Sequence, residues 1–312
     1  MVTHKFIKDL AAYEPINQVF QVVSKQQRIK RDGSPYLNLE LRDKTGKIQA
    51  KLWDNLPKTD LIIEHGFVYI KGQVELYKGD LQLVISSLTS ASPEDINPDF
   101  FISHTSKDIE LLYEEFKEIL AMVKDPFLVE LIQQFLADVD FVEKFKKAPA
   151  AVERHHSYSG GLLEHTVNIL NLASRISEFY KIINTDLLLT GIFLHDIGKM
   201  KEYEIKITPQ MTDEGRLVGH TLLGIMMLEE KIRNIKDFPS LSKSLLEHLI
   251  GSHHGQYDYG APVLPMTPEA LLLHYLDNLD ARMGEYQLLS ENLPGGGWTE
   301  WSKSLDRKFY KQ

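Results

Sequence analysis

The stretch Leu187-Leu-Leu-Thr-Gly-Ile-Phe-Leu-His-Asp-Ile-Gly-Lys199 is apolar almost throughout until it meets His195-Asp196, and it then stops at Gly198. A run this apolar, longer than a typical strand, predicts a helix buried on all sides, and Ile197-Gly198-Lys199 has the chemistry of a helix end. His195 shares a helical face with Leu188 and Gly191, and Asp196 follows it directly. An imidazole and a carboxylate therefore arrive together at the end of a core helix. A single His-Asp pair is almost without signal, because one buried histidine is more often a capping or core hydrogen-bonding group. What the flanking sequence sets against it decides the reading.

Outward from this stretch, helical periodicity covers 107–123, 126–145, 162–180, 186–197, 219–233, 240–254 and 268–289. Pro149, Gly160-Gly161, Gly198, Pro209, Gly215, Gly219, Gly255 and Pro262 fall at the breaks. His165 lies on one face with Leu162, Ile169, Leu172 and Ile176, and Asp277 on one face with Ala270, Leu273 and Asp280. His220 opens a helix after Gly219, and His253-His254 closes one before Gly255. Separate helices thus aim imidazoles and carboxylates into an apolar interior, where an unpaired ionised carboxylate costs several kcal/mol. Bound cations would remove that cost. The chain has no cysteine, so a metal would have to sit on carboxylates and on some of the twelve histidines.

The ordered set His165, His195-Asp196, His220, His253-His254, Asp277 resembles the HD superfamily in its longer, two-metal form, and Asp196-Ile-Gly-Lys199 is similar to that family's extended motif. The resemblance implies one ion on His165, His195, Asp196 and Asp277. A second would take Asp196 as bridge with His220, His253 and His254. Imidazole with carboxylate and no sulfur suits Mn, with Fe, Co or Zn as alternatives. Two divalent ions against two carboxylates leave a positive centre suited to a phosphodiester, attacked in line by hydroxide, with Asp196 central to catalysis and Lys199 assisting by charge. Gly161, four residues before His165, stands where some longer HD proteins carry a glutamate, which speaks against a third metal.

The amino-terminal part has a different period. Asn17–Val23, Tyr36–Leu41, Lys47–Trp53, Phe67–Lys71 and Leu81–Ile85 alternate or are rich in β-formers. Asp32-Gly-Ser-Pro35, Asp43-Lys-Thr-Gly46 and Lys78-Gly-Asp80 read as hairpin turns between them. With a short helix near Asp54 to His65, the order is that of an OB-fold. The fold class is a multidomain α+β chain: a five-stranded OB-fold β-barrel over 1–90, a linker over 91–106, an all-α HD domain over 107–289 and an extension over 290–312. Lys25, Arg28, Lys30 and Arg31 surround the first hairpin, while Tyr36, Trp53, Tyr69 and Tyr77 lie on neighbouring strands or turns. Cations that track phosphates and rings that stack on bases suit single-stranded nucleic acid. The same residues also suit a plainer role, with aromatics filling a small barrel and lysines solvating an edge, and Trp53 is the most core-like of them.

Composition narrows the classes. Hydrophobic residues are 43% and charged residues 25%, which fits globular domains rather than disorder. Met1 to Leu10 lacks the apolar run of a signal peptide and no segment reaches spanning length, so no membrane partner and a cytoplasmic address are expected. The net charge of −9 is uneven: residues 1–90 hold 13 Lys/Arg and 10 Asp/Glu, the remainder 22 and 34. A mildly basic module is joined to an acidic one.

Arg154-His-His156, Ser157-Tyr-Ser-Gly-Gly161 and Leu162-Leu-Glu-His-Thr166 together look like the YhaM-type 3′-5′ exoribonucleases, which join an amino-terminal OB domain to an HD domain, and the resemblance spans nearly the whole chain. It implies hydrolysis of single-stranded RNA, with single-stranded DNA as a further substrate, from the 3′ end to nucleoside 5′-monophosphates. Arg154 and His156 are candidates for phosphate contact, with capping or solvation as the alternative. His274 and Asp280 are candidates for supporting the ligands. The apolar and aromatic stretch from Glu285 to Trp301 makes a homo-oligomer an expectation. Two other functions compete. An HD phosphohydrolase of small nucleotides (dNTPs, (p)ppGpp or cyclic dinucleotides) would need no single-strand groove, and Gly255-Gln-Tyr-Asp-Tyr-Gly260 is not the Gly-Tyr-Pro element usual in cyclic-dinucleotide enzymes. A non-catalytic nucleic-acid-binding accessory protein would not need an intact ligand set.

Overall fold

Lys78 and Gly79 both take positive φ, 55° and 99°, and so form the tight two-residue turn that joins β4 (Phe67–Tyr77) to β5 (Asp80–Ser90). The computed structural model describes residues 4–312 apart from 55, 57–61, 63, 65, 103–104, 106, 152–157, 206–208, 292, 294 and 303, with backbone alone at 205, 209 and 291. The chain divides into two units, Met1–Ser103 and His104–Gln312.

In the first unit, β1 (Pro15–Ile29), β2 (Pro35–Asp43) and β3 (Gly46–Leu52) join β4 and β5 in a closed barrel of order β1-β2-β3-β5-β4. β3 and β5 pair parallel and the other neighbours antiparallel. This is the OB-fold expected from the alternation. Leu37, Leu39 and Leu41 point inward at every second position against Phe20, Ala50, Ile70 and Leu83, all fully buried. β1 runs further than its alternating stretch. From Lys25 to Ile29 its polar or exposed residues keep pairing with Leu39 to Pro35 of β2 beyond a register shift at Val22/Ser24, because backbone hydrogen bonding does not require an apolar face. The helix expected near Asp54 to His65 lies largely outside the described residues.

Asp43 closes one end of the barrel. Its carboxylate accepts from the backbone N–H of Ile7 (2.7 Å) and of Thr45 (2.7 Å) and from the Thr45 hydroxyl (2.6 Å), and it lies 3.4 Å from His4 Nε2. The His4 ring stacks on Phe100 at 4.7 Å, so one buried carboxylate ties both flanking segments of the unit to the β2–β3 turn.

The second unit contains α1 (Ile109–Leu120), α2 (Pro126–Leu136), α3 (Val139–Lys147), α4 (Gly161–Ile176), α5 (Thr185–Leu194), α6 (Lys199–Glu202), α7 (Asp213–Val218), α8 (His220–Ile232), α9 (Ser240–Ser252) and α10 (Pro268–Glu291). The opening stretch forms α5, with every residue from Leu187 to Leu194 buried, and Phe193 meets the rings of Phe116, Phe135 and Phe145 at 5.2, 5.5 and 6.0 Å. Two expectations differ. The helix read over 126–145 is two helices, because the Asp138 carboxylate accepts from the backbone N–H of Phe141 and starts α3 afresh. The unit is also not purely helical: β6 (Tyr203–Ile205) pairs with β7 (Pro209–Met211), and β8 (Gly297–Trp298) with β9 (Tyr310–Lys311). These strands are too short to register as alternation. No helix among the described residues is long and apolar enough to cross a membrane.

Candidate metal centre and nucleic-acid surface

His195 is the C-cap of α5 and His253 the C-cap of α9, and each uses its side chain in the same way. His195 Nδ1 donates to the carbonyl of Ile192 and His253 Nδ1 to that of Ile250, both at 2.7 Å. A carbonyl can only accept, so the proton is on Nδ1 and the Nε2 lone pair is turned inward. The last turn of each helix thereby orients an imidazole while satisfying a carbonyl that the helix leaves open. His165, near the start of α4, donates from Nδ1 to Asp280 Oδ2 at 2.7 Å, and His220, first residue of α8, has Nδ1 3.1 Å from both oxygens of Glu202.

These anchors converge the Nε2 atoms on Asp196. Its Oδ2 lies 3.3 Å from His195 Nε2 and 3.7 Å from His165 Nε2, while its Oδ1 lies 3.7 Å from His220 Nε2 and 3.6 Å from His253 Nε2. Asp277 Oδ1 lies 3.2 Å from His165 Nε2. His165, His195 and Asp277 form one triplet whose ligand atoms fall within 4.8 Å of one another, and His220, His253 and His254 form a second. One carboxylate stands between them, an oxygen toward each.

The donor set fits divalent cations. His195 Nε2, Asp196 Oδ1 and His253 Nε2 are buried polar atoms with no hydrogen-bond partner among the described residues, an arrangement too costly to leave unexplained in an apolar interior. His220 Nε2 and His254 Nε2 are 3.2 Å apart and need a proton or a cation between them.

Electrostatics amend the sequence argument in one respect. The buried carboxylates already have protein cations. Lys199 Nζ lies 2.6 Å from Asp196 Oδ2. Burial raises the Asp196 carboxyl, but its neighbours, the Lys199 charge first among them, outweigh it and hold the group well below the usual carboxylate range. Burial likewise lowers His165, and the adjoining carboxylates of Asp277 and Asp280 reverse this and lift it to about 10. His253 and His254 have no such neighbour at hydrogen-bonding distance and are pushed down by burial. His253 and His254 are thus neutral and Asp196 is ionised, the protonation states that metal ligands require, whereas His165, an imidazolium between Asp277 and Asp280, must lose its Nε2 proton before that atom can take an ion.

In the barrel unit, the Tyr36 and Trp53 rings stack at 4.7 Å with 27° between planes. Lys51 Nζ lies 5.4 Å from the Trp53 ring and 5.0 Å from Tyr77, so the three aromatics share one patch around a lysine. Trp53 is on the surface and not in the core, at 36% exposure. Tyr69 is half-buried on β4, opposite Val19 and Thr89. The predicted cations are less uniform: Lys25 donates to the carbonyl of Ile62, Lys30 pairs with Asp54 at 2.8 Å, Arg28 donates to Gln26, and Arg31 is exposed at the hairpin. Arg154 and His156 lie outside the described residues.

The HD domain family matches residues 162–282, and the OB-fold nucleic acid binding domain family matches residues 21–91. Over 301 residues the chain is 34% identical to the 3′-5′ exoribonuclease YhaM of Bacillus subtilis (strain 168), covering 96% of this chain and 95% of that one. The chain belongs to the YhaM family. The YhaM protein of Geobacillus sp. (strain WCH70) is 33% identical over 97% of this chain and 95% of its own length, and that of Oceanobacillus iheyensis 34% over 90% and 88%. The YhaM relatives thus match through both units.

Two residues of this YhaM-family chain escaped the sequence reading. Glu202 gave no signal, since it ends a polar four-residue helix with no apolar period around it. Lys51 reads as an ordinary strand lysine until the register sets it among rings.

Proposed function

We propose that the protein is a divalent-metal-dependent 3′-5′ exoribonuclease that shortens single-stranded RNA and releases nucleoside 5′-monophosphates. The observation that carries this reading is the Asp196 carboxylate, one oxygen facing His165 and His195 and the other facing His220 and His253, in a chain of the YhaM family. His165, His195, Asp196 and Asp277 would hold one ion, and Asp196, His220, His253 and His254 the second. Mn is the first choice for these donors, with Fe, Co and Zn as alternatives. When bound, the ions supply Lewis acidity and positive charge at the phosphodiester.

In the reaction, a water oxygen bonds to phosphorus and the bond from phosphorus to the 3′ oxygen of the preceding nucleotide breaks. One proton ends on that 3′ hydroxyl, and the terminal nucleotide leaves with its 5′ phosphate. Neighbouring charge and hydrogen bonds keep Asp196 and Asp277 ionised and burial keeps His253 and His254 neutral, so these four are ready as ligands, while His165 must first release its Nε2 proton. Lys199 brings a cation to the same point as Asp196 and serves the phosphate. Tyr36, Trp53 and Tyr77 offer faces to successive bases, with Lys51 for the backbone.

The test is a time course on a 5′-labelled single-stranded RNA, with a DNA oligonucleotide alongside, comparing wild type and Asp196→Ala with and without Mn. A ladder shortening from the 3′ end, dependent on Mn and absent in the variant, is expected. Intact RNA after incubation with Mn-loaded wild type overturns the proposal and moves the substrate to a small nucleotide.

A further inference from the structure

We infer that Glu202 and Asp280, neither of them in the ligand set, are positioning residues that each govern the affinity of one half of the metal centre, an inference resting on the two-ion reading above. Four ligand histidines have Nδ1 anchored, and the anchors divide in a regular way. In the half built on His165 and His195, one imidazole leans on a carboxylate, Asp280, and the other on a peptide carbonyl, that of Ile192. The half built on His220 and His253 repeats the pattern with Glu202 and the carbonyl of Ile250.

Both carboxylates are themselves held. Asp280 Oδ1 accepts from Asn168 Nδ2 at 3.0 Å, so the oxygen facing His165 cannot turn away. Glu202 is buried and its Oε1 also accepts from the backbone N–H of His220 at 3.1 Å, which fixes the start of α8 and the ring of its first residue with one group. The Glu202 carbonyl in turn accepts from the backbone N–H of Thr212 at 2.9 Å, so the β6–β7 hairpin buttresses the residue. A carboxylate behind an imidazole fixes its tautomer and makes the opposite nitrogen a better donor than a neutral carbonyl does. Each half therefore contains one reinforced ligand, and removing the reinforcement weakens that half alone.

The experiment uses the full chain stripped of metal by chelation and titrated with Mn(II), free ion being counted by electron paramagnetic resonance. Wild type is expected to take up two ions. In Glu202→Ala one ion binds as in wild type and the other about 10–100-fold more weakly. Asp280→Ala weakens the other ion to a similar extent. Combining Glu202→Ala with His220→Ala adds little to the single His220→Ala loss, whereas combining it with His165→Ala sums the two effects. Glu202→Gln, whose amide oxygen still accepts from Nδ1–H, recovers part of the loss and so separates positioning from a general loosening of the fold. Equal weakening of both ions by Glu202→Ala, or of neither, overturns the inference and leaves the two-ion reading standing. Failure of wild type to bind Mn overturns both.

Discussion

A methyl group on Gly198 would stand 1.9 Å from the carbonyl oxygen of His220 and 2.6 Å from the backbone nitrogen of Gly224. The turn that carries Asp196 thus touches the first turn of α8 backbone to backbone, and this contact sets the distance between the two halves of the centre. Backbone atoms cannot swing aside as a side chain can. Gly198→Ala is expected to destabilise the helical unit by about 1–3 kcal/mol or more. It should also lower Mn affinity, because His220 is pushed away from Asp196; melting temperature and Mn titration on the same preparations check both effects.

The aromatic patch of the barrel gives a second expectation. Tyr36→Ala and Trp53→Ala, made in an Asp196→Ala background that prevents digestion, should each weaken binding of a single-stranded RNA by about 1–3 kcal/mol. Lys51→Ala should instead flatten the dependence of affinity on salt by roughly 0.7 in the log–log slope, as expected for one lost phosphate contact. Fluorescence anisotropy at several salt concentrations separates the two behaviours.

Asp43 makes the barrel sensitive to acid. Burial raises its carboxyl, but the side-chain bonds from His4 and Thr45, with the backbone N–H of Thr45 and Ile7, outweigh this and the folded group titrates below the ordinary aspartate range. A depressed carboxylate stabilises the fold fully above its unfolded value of about 3.9, and the contribution fades as pH falls through the lower folded value. Asp43→Asn should therefore cost stability at neutral pH and flatten the acid limb of the stability profile. With Trp298 and Trp301 replaced by Phe, Trp53 remains as the one tryptophan, and its fluorescence during urea unfolding at pH 2 to 7 follows the barrel.

The junction between α2 and α3 yields a fourth. Asp138 caps α3 through Phe141 and pairs with Lys231 of α8 at 2.7 Å. Asp138→Ala should cost about 1 kcal/mol, typical of a lost N-cap, and Asp138→Asn, which keeps the cap, distinctly less. Chemical denaturation of the helical unit is the measurement.

These positions also show what a sequence discloses. Leu37, Leu39 and Leu41 declared the barrel because a pleated strand repeats every two residues, and α5 declared itself because nothing but a core helix is that apolar. The inward aim of His165 and Asp277 was legible for the same reason: helical geometry places them on faces already marked by leucine and isoleucine. The break at Asp138 was hidden, since Val139 and Phe141 continue the apolar pattern of α2 and only the cap bond reveals a new start. Glu202 was hidden more deeply. Its role comes from meeting His220 eighteen residues away, a contact that no period encodes.

Lys199 lies three residues from Asp196 on the same turn and meets it at 2.6 Å, so the central carboxylate brings its own counter-charge into the interior. Burying this carboxylate therefore does not by itself call for a bound ion, because the charge that offsets it is carried one helical turn along the same chain.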